Sequence, residues 1–532
     1  MISVSKTSFH DSNDKVFLVF IILAAIVMIS PLGIMPLLDD EPIRALVSVE
    51  MYLSGNYWVP TTNGALYLNK PPLFNWLITG LMHVIPNFSE FHLRLPSLLV
   101  LMTMSVCTYY FFKKEIGEKV AMFSALAFLT CGRILFVDSM LGYIDPFFSL
   151  AIFLNLFLLY KIDVRSQPWL YFLLSYLLCL VAFMLKGLPA LVFQAISVSV
   201  ALYLKDNLRK LFSIQHLAGA SIFIVGLVAY YLVYSMYESL DSLFATLWEQ
   251  SSKRTVTNFN LWDGILYVLG FPFEFAMHFL PWTLLIVFCI RKDIVRIIRS
   301  NEFVKYAFVI FASNIWIYWL SPETRPRYLF MFLPFYFAIL FYVFIEFTSE
   351  KQKRITHYVV LSLSVLMMFA SLSPFFISEI DFVEFKTHKI LVIFLSLFFL
   401  VLFIWKRPQY SMLSFVAVLL IARLGFNFFV LPSRKLEAPE TQFKKFGEDI
   451  GKISNTEPIY LLDACGLDND ISYYISKTNH KILGRKIGQV KEGEYYICEA
   501  HQLEHYRLKP VYQFYTDWEH KELFVAEKKV GR

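Results

Sequence analysis

The sequence predicts an all-α polytopic membrane protein of about thirteen transmembrane helices with a small soluble α/β domain at its C-terminus. Three observations predict it: long apolar runs with almost no charge, short basic connections that recur after every second run, and a change of character after residue 432. Of 532 residues, 57% are apolar or aromatic and only 17% are charged, against roughly a quarter in soluble chains. Mean hydropathy is +0.56. The 54 phenylalanines, with runs such as Phe375–Phe376 and Phe398–Phe399, suit lipid-facing helices better than a water-soluble core.

A span needs roughly 20 mainly apolar residues. Such runs lie near 16–37, 95–112, 119–136, 145–160, 168–185, 188–204, 215–236, 265–290, 304–320, 328–347, 355–376, 388–405 and 410–431. The first run follows Lys6 and Lys15. It exceeds a signal-peptide core in length and lacks a small-residue cleavage site, so it reads as an uncleaved span. With the N-terminus inside, the inner turns carry Lys113, Lys114 and Lys119; Lys161 and Arg165; Lys205, Arg209 and Lys210; Arg291, Lys292, Arg296 and Arg299; Lys351, Lys353 and Arg354; and Lys406 and Arg407. This is the positive-inside pattern. An odd number of spans then puts residues 433–532 outside. The chain divides into a membrane module, 1–432, and an outer domain, 433–532.

Two outer segments, 39–94 and 238–264, exceed simple turns, and long loops in compact architectures are usually functional. In the first, Pro42 to Leu53 reads as a short helix, with Ile43, Leu46, Val47 and Met51 on one face. Pro42 at its start and Gly55 after its end are the usual punctuation. The helix is expected to lie in the membrane interface, and 72–85 reads as a second one, too short to span. In the tail, 458–464, 494–499 and 523–528 read as strands and 441–453 as a helix.

The net charge of +6 is spread over short turns, not gathered as a nucleic-acid-binding patch. No Cys-x-x-Cys pair occurs, so cysteine spacing offers no metal framework. Cys465 and Cys498 fall in the tail, where an extracytoplasmic location would permit a disulfide.

The densest polar cluster at the membrane surface is Asp39-Asp40-Glu41-Pro42-Ile43-Arg44. Acids before a proline cap a helix and complement its dipole. One acid suffices for a cap, however, and a carboxylate fixed at the surface can deprotonate an acceptor hydroxyl. Asp145, in Tyr143-Ile144-Asp145-Pro146, is a second carboxylate, with Asp138 seven residues earlier; it too can be a cap. The expected outer-face cations are Arg44, Lys70, Lys186, Lys253, Arg254, Arg325 and Arg327. They can attract anionic headgroups. Lys70 before Pro71-Pro72, and Arg325 and Arg327 around Pro326, are also held on stiff backbone, which suits a phosphate leaving group.

The runs DDEPIRALVSVEMYLSGNYWVP and LYLNKPPLFNW, followed by YIDPFF at 143–148, MLKGLPAL at 184–191, FLPW at 279–282 and PETRPRY at 322–328, resemble the membrane glycosyltransferases of GT-C fold. Among these they resemble the bacterial lipid A 4-amino-4-deoxy-L-arabinose transferases and their relatives, the protein O-mannosyltransferases. The resemblance implies an inverting transfer from an undecaprenyl-phosphate sugar or similar polyprenyl-phosphate donor to an acceptor in lipid A, a protein or a glycan. It places Asp40 on the family's first-loop catalytic Asp, with Glu41 beside it, and Asp145 on the second acidic position. Lys70 matches the Lys-Pro motif, Lys186 the Lys-Gly position, Tyr328 the aromatic of the late loop, and Lys253-Arg254 falls near an Arg of the second large loop.

The match has departures. The family's Asp-Glu-Thr-Arg aligns its Arg with Ile43, leaving Arg44 one residue on and about 100° around the helix. Asn69 and Gln250 stand where the family has Glu and His. Both are poor metal ligands, so no metal is carried over from the family, and the residues leave the metal requirement open. The implied partners are the lipid-phosphate donor, the acceptor and membrane lipids, with no nucleic acid. The implied location is a bacterial inner membrane, with a cytoplasmic N-terminus and a periplasmic tail. The alternatives are a transporter or flippase of lipid-linked sugars, and a polymerase or ligase of envelope polysaccharide. A transporter needs polar residues at mid-membrane and often internal repeats; few such charges and no obvious repeat are present.

Overall fold

The computed structural model describes residues 7–241, 245–246, 261–321, 324–455, 457–516 and 521–528. The chain forms two compact units. One draws on residues 1–32, 97–227 and 249–433, the other on 33–96, 228–248 and 434–532.

Among the described residues, seven helices are long and apolar enough to cross a membrane. They are Glu90–Ile116, Pro168–Lys186, Ile214–Ser235, Pro326–Phe347, Glu350–Phe376, Lys386–Lys406 and Pro408–Glu437. An eighth is reached if the pair Glu118–Thr130 and Gly132–Met140, bent by 44°, counts as one span. Length and apolarity thus do not establish the expected count of about thirteen. The shortfall has local causes. Asp145–Lys161 and Pro189–Leu204 are regular helices of only 17 and 16 residues. The run expected at 304–320 breaks after Asn314. The run at 265–290 starts in helix Leu261–His278, which contains Pro272, and continues as a 3-10 segment, Trp282–Cys289.

The first unit uses phenylalanine in two ways. Phe375, Phe376, Phe398 and Phe399 are exposed, as lipid-facing residues must be. Phe112 instead lies buried within aromatic contact of Phe153, Phe157, Phe303 and Phe335. The span Pro326–Phe347 is 83% buried, whereas Lys386–Lys406 is 22% buried. Hydropathy is the same signal for both, because lipid and protein interior are equally apolar.

In the second unit, helix Glu41–Ser54 starts with Pro42 in its first turn and ends on Gly55, whose φ of 70° lets its N–H reach the Met51 carbonyl. Almost the whole circumference is covered, Arg44 and Ser48 included. This differs from a helix lying one-faced in an interface. Helix Leu73–Val84 explains one side: Asn75 Nδ2 donates to the Arg44 carbonyl (3.0 Å) and to Ser48 Oγ (2.9 Å), and Thr79 Oγ1 to the Ser48 carbonyl (3.1 Å). The C-terminal helix Asn469–Asn479 packs against the same helix. Buried Glu50 holds the hairpin of β1 (Thr61–Thr62) and β2 (Ala65–Leu66) by accepting from Thr61 Oγ1 (2.7 Å) and the Asn63 N–H (2.5 Å).

The C-terminal residues add a five-stranded mixed sheet of order β4-β3-β5-β7-β6. Its strands are β3 (Ile459–Leu462), β4 (Gly484–Lys486), β5 (Tyr495–Cys498), β6 (Leu508–Tyr515) and β7 (Glu522–Lys528). β3 is parallel to β4 and β5, while β7 is antiparallel to β5 and β6. β4 and β6 carry weak sequence signals. β4 is three polar-flanked residues, and β6 contains Pro510, tolerated because β6 is an edge strand. Cys465 and Cys498 are free, buried thiols in different apolar clusters, both pushed up to about 12 by burial.

Helices Pro439–Ser454 and Asn469–Asn479 meet at glycines. A Cβ on Gly447 would stand 2.5 Å from Tyr474 Cβ and 2.8 Å from the Ile471 carbonyl oxygen. Gly447→Ala is therefore expected to lower the melting temperature of the detergent-solubilised chain, at an overpacking cost of about 1–3 kcal/mol. Gly466→Ala, which meets no atom within 4 Å, is the control and should melt like the wild type.

Asp470 gives a second test. Burial pushes its carboxyl up to about 7, with Asp468 and Glu440 adding to the push and the Ile471 N–H opposing it. The folded chain then holds a proton that the unfolded chain releases near pH 4. Stability falls as pH rises through about 4 to 7. Asp470→Asn removes that loss, so its melting temperature should gain on the wild type across this window and stay level above it.

Candidate functional site

In the second unit, the polar run at residues 39–44 resolves into residues with different surroundings. Asp40 is the N-cap of helix Glu41–Ser54 and is exposed. Asp39 before it has a left-handed φ of 52°. Glu41 is 2% exposed and faces Arg94, itself 1% exposed. Arg94 Nε donates to Glu41 Oε1 (2.8 Å) and Nη2 to Oε2 (2.7 Å), a bidentate pair. The same guanidinium donates to the Met35 and Pro36 carbonyls (2.8 and 2.5 Å). Both Glu41 oxygens are thus engaged by Arg94.

Arg44 is nearly buried and its Nη1 donates to the Tyr67 hydroxyl at 2.6 Å. Burial pushes the Tyr67 phenol up, the Arg44 charge opposes this, and the Asp40 charge adds to it. Asp40 is thus close enough to act on Tyr67. Tyr67 in turn lines a pocket with Lys70, Pro60, Leu68, Pro71, Tyr230, Tyr231 and Tyr234. Lys70 is half-buried there. Among the described residues, the buried Tyr234 hydroxyl has no hydrogen-bond partner. A carboxylate, a guanidinium and an ammonium around a wall of tyrosines suit an anionic group attached to a hydroxyl-rich or aromatic-stacking body.

The first unit contains the other group of expected residues. Asp145 opens helix Asp145–Lys161 behind Pro146's fixed φ. It is 3% exposed and pairs with two cations: Lys186 Nζ, through a short hydrogen bond, and Arg327 Nε at 3.1 Å. Lys186 ends helix Pro168–Lys186, and Arg327 lies in the 3-10 segment Pro326–Phe332. Lys186 Nζ sits 3.5 Å from the Tyr328 ring centroid, and the Arg327 guanidinium 4.1 Å from that of Tyr143. These cation–π contacts fix both cations. Among the described residues, one carboxylate meets two cations here, and Asp145, Lys186, Arg327 and Tyr328 do come together.

Arg325 does not join them. Proline between the two arginines turns them apart, leaving Arg325 exposed and Arg327 2% exposed. Asp138 has its own partner, Arg133 Nε at 2.7 Å. Lys253 and Arg254 lie outside the described residues. No group of three or more metal-ligating side chains occurs among the described residues.

Sequence reasoning missed Tyr67, Arg94 and the Tyr230, Tyr231, Tyr234 group. Two of these left a signal. Tyr67 stands three residues before Lys70, and three tyrosines within five residues close an apolar run. Arg94 looked like the charged end of a span.

Residues 69–237 match the family profile described as dolichyl-phosphate-mannose-protein mannosyltransferase. An uncharacterized protein of Aquifex aeolicus is 22% identical over 336 residues, 63% of this chain and 64% of its own length. The undecaprenyl phosphate-alpha-4-amino-4-deoxy-L-arabinose arabinosyl transferase of Shewanella sediminis is 29% identical over 175 residues, 32% of this chain and 31% of its own. The chain thus spans just under two thirds and about a third of these curated relatives. Among solved structures, ArnT from Cupriavidus metallidurans bound to undecaprenyl phosphate superposes with a TM-score of 0.69 at 15% identity, covering 96% of this chain and 97% of that one. Its apo state gives 0.64 at 16% identity and the same coverage. The fold match runs nearly end to end, so the chain is a multi-pass membrane protein with the GT-C fold, resembling the family of ArnT and the protein mannosyltransferases.

Proposed function

We propose that this chain is a glycosyltransferase that moves a sugar, with inversion, from an undecaprenyl-phosphate or similar polyprenyl-phosphate donor to an envelope acceptor in lipid A, a protein or a glycan. It acts on the periplasmic face of a bacterial inner membrane. The observation that carries this reading is the exposed Asp40, which acts on the Tyr67 of a tyrosine-lined pocket that holds Lys70, on a fold shared nearly end to end with an undecaprenyl-phosphate-bound ArnT.

Asp40 is the base. It takes the acceptor hydroxyl proton, and the acceptor oxygen attacks the anomeric carbon from the face opposite the phosphate. The bond between that carbon and the phosphate oxygen breaks, and the lipid phosphate keeps the electron pair. Lys70 neutralises the charge as it grows, which lowers the barrier most at the transition state. If the acceptor is already an anionic phosphate, Asp40 orients it instead. Arg44, held by Tyr67, adds a fixed positive charge. The Asp145–Lys186–Arg327 cluster supplies a second positively charged surface, suited to an anionic group of donor or acceptor. Arg325 stands apart from this cluster and is exposed.

The test is transfer by the purified chain from undecaprenyl-phosphate-linked mannose or 4-amino-4-deoxy-L-arabinose to lipid A, read by mass spectrometry, beside a comparison of envelope lipids and glycoproteins with and without the gene. Asp40→Asn should reduce turnover by at least 100-fold, in the range expected for a lost general base. Its binding of undecaprenyl phosphate should stay within about twofold. Lys70→Ala should weaken that binding by about tenfold or more, the worth of one charge-assisted hydrogen bond. Full turnover by Asp40→Asn would remove it from the mechanism. Movement of the intact lipid-linked sugar without bond cleavage would favour a transporter.

A further inference from the structure

The strap of residues 35–41, which carries Asp40, is held from two directions within the second unit. On one side, Arg94 of helix Glu90–Ile116 grips the carbonyls of Met35 and Pro36 and both oxygens of Glu41. On the other, Tyr474 of the C-terminal helix Asn469–Asn479 accepts the Leu37 N–H at 3.1 Å. The same Tyr474 hydroxyl donates to Glu90 Oε1 at 2.8 Å, and Lys444 Nζ donates to that oxygen at 2.5 Å. The loop then closes on itself: Glu41 Oε2 accepts the Leu38 N–H (2.9 Å), and the Leu38 carbonyl accepts the Glu41 N–H (3.0 Å). Tyr474, Arg94, Glu41 and Glu90 are all at most 4% exposed.

These bonds fall on main-chain positions on the N-terminal side of Asp40 and on the side chain that follows it. Between them, Asp39 is kept at a φ of 52°, a conformation that a non-glycine residue adopts only when its surroundings hold it there. Apolar packing is non-directional and would not select that backbone. Directed bonds from a rigid guanidinium and a buried phenol do.

We propose that Tyr474 and Arg94 are positioning residues for Asp40, so that the C-terminal domain sets the direction of the first-loop carboxylate. This rests on the reading of Asp40 as the base or orienting group. Neither residue touches substrate in this scheme; both act through the strap. A carboxylate displaced by about 1 Å loses on the order of 100-fold in rate, so the holding of the strap is felt in turnover more than in binding.

Tyr474→Phe keeps the ring and removes the hydroxyl. Tyr473→Phe is a matched control. Tyr473 is equally buried in the same helix, but its hydroxyl donates to the Phe88 carbonyl and to no group of the strap 35–41. Both variants are made in the full chain in lipid nanodiscs. Two quantities are measured: amide hydrogen exchange of the peptide covering 33–41, and transfer from the two undecaprenyl-phosphate sugars named above. Tyr474→Phe should speed exchange in that peptide and lower kcat about tenfold or more, with the donor KM within twofold. Tyr473→Phe should change neither beyond twofold. Arg94→Lys, which keeps the charge but loses the fork, should behave like Tyr474→Phe. Wild-type exchange and kcat in Tyr474→Phe overturn the proposal, and so does an equal loss in Tyr473→Phe, which would show a general loss of stability. A wild-type chain that transfers neither sugar defeats the reading of Asp40; an active wild type with an unaffected Tyr474→Phe defeats only the positioning.

Discussion

A charge taken out of water must meet an opposite charge or a set of dipoles, because the desolvation cost is several kcal/mol per ion. The architecture of this chain follows from how it meets that demand. Glu41 is buried against Arg94, Asp145 against Lys186 and Arg327, Asp138 against Arg133, and Glu90 against Lys444. Each pair joins residues far apart in sequence or on different elements, apart from Asp138–Arg133, which spans a single bend. Each therefore fixes a backbone as well as a charge. Asp40 and Arg325, by contrast, are exposed.

The same rule divides two neighbouring carboxylates. Asp40 and Glu41 are adjacent, so one sits before the helix and the other inside its first turn. Glu41 points inward, where Arg94 meets it in bidentate geometry. Asp40 is left at the cap position, facing outward. A run of three acids looks redundant in one dimension. In three it is a holder and a held group, with the strained Asp39 as the joint between strap and helix.

Much of this was legible in the chain. The helix at 41–54 was readable because proline and glycine bracket it, and in the tail the helix at 441–453, found as Pro439–Ser454, and three of the strands were readable too. Asp40, Lys70, Asp145 and Lys186 stood out because proline or glycine follows each closely or a second acid adjoins it. The count of spans was not legible, since hydropathy does not tell a helix buried in protein, such as Pro326–Phe347, from one in lipid, nor a 16-residue helix from a full crossing. The Glu41–Arg94 pair was invisible because its members are 53 residues apart and Arg94 reads as a span end. The splitting of Arg325 from Arg327 was missed because proximity in sequence was taken as proximity of side chains. Pro326 stiffens the backbone between them, but it also starts a 3-10 turn that sends one outward and the other in.

Arg44 shows how a departure from the family pattern can be absorbed. Shifted by one residue, it turns about 100° around the helix relative to the arginine that Ile43 replaces. That rotation takes it among buried neighbours, where an unpartnered guanidinium would be costly. Tyr67 accepts its Nη1 at 2.6 Å, and the ring lies 5.5 Å from the guanidinium carbon. The charge is retained and its direction is set by a residue that also lines the Lys70 pocket. A substitution that seems to remove an anion-binding group thus moves it behind a tyrosine. The pocket then presents a phenol backed by a cation. A phenol hydrogen-bonds neutral hydroxyls as well as anions, so this wall favours ligands whose contacting groups are less charged.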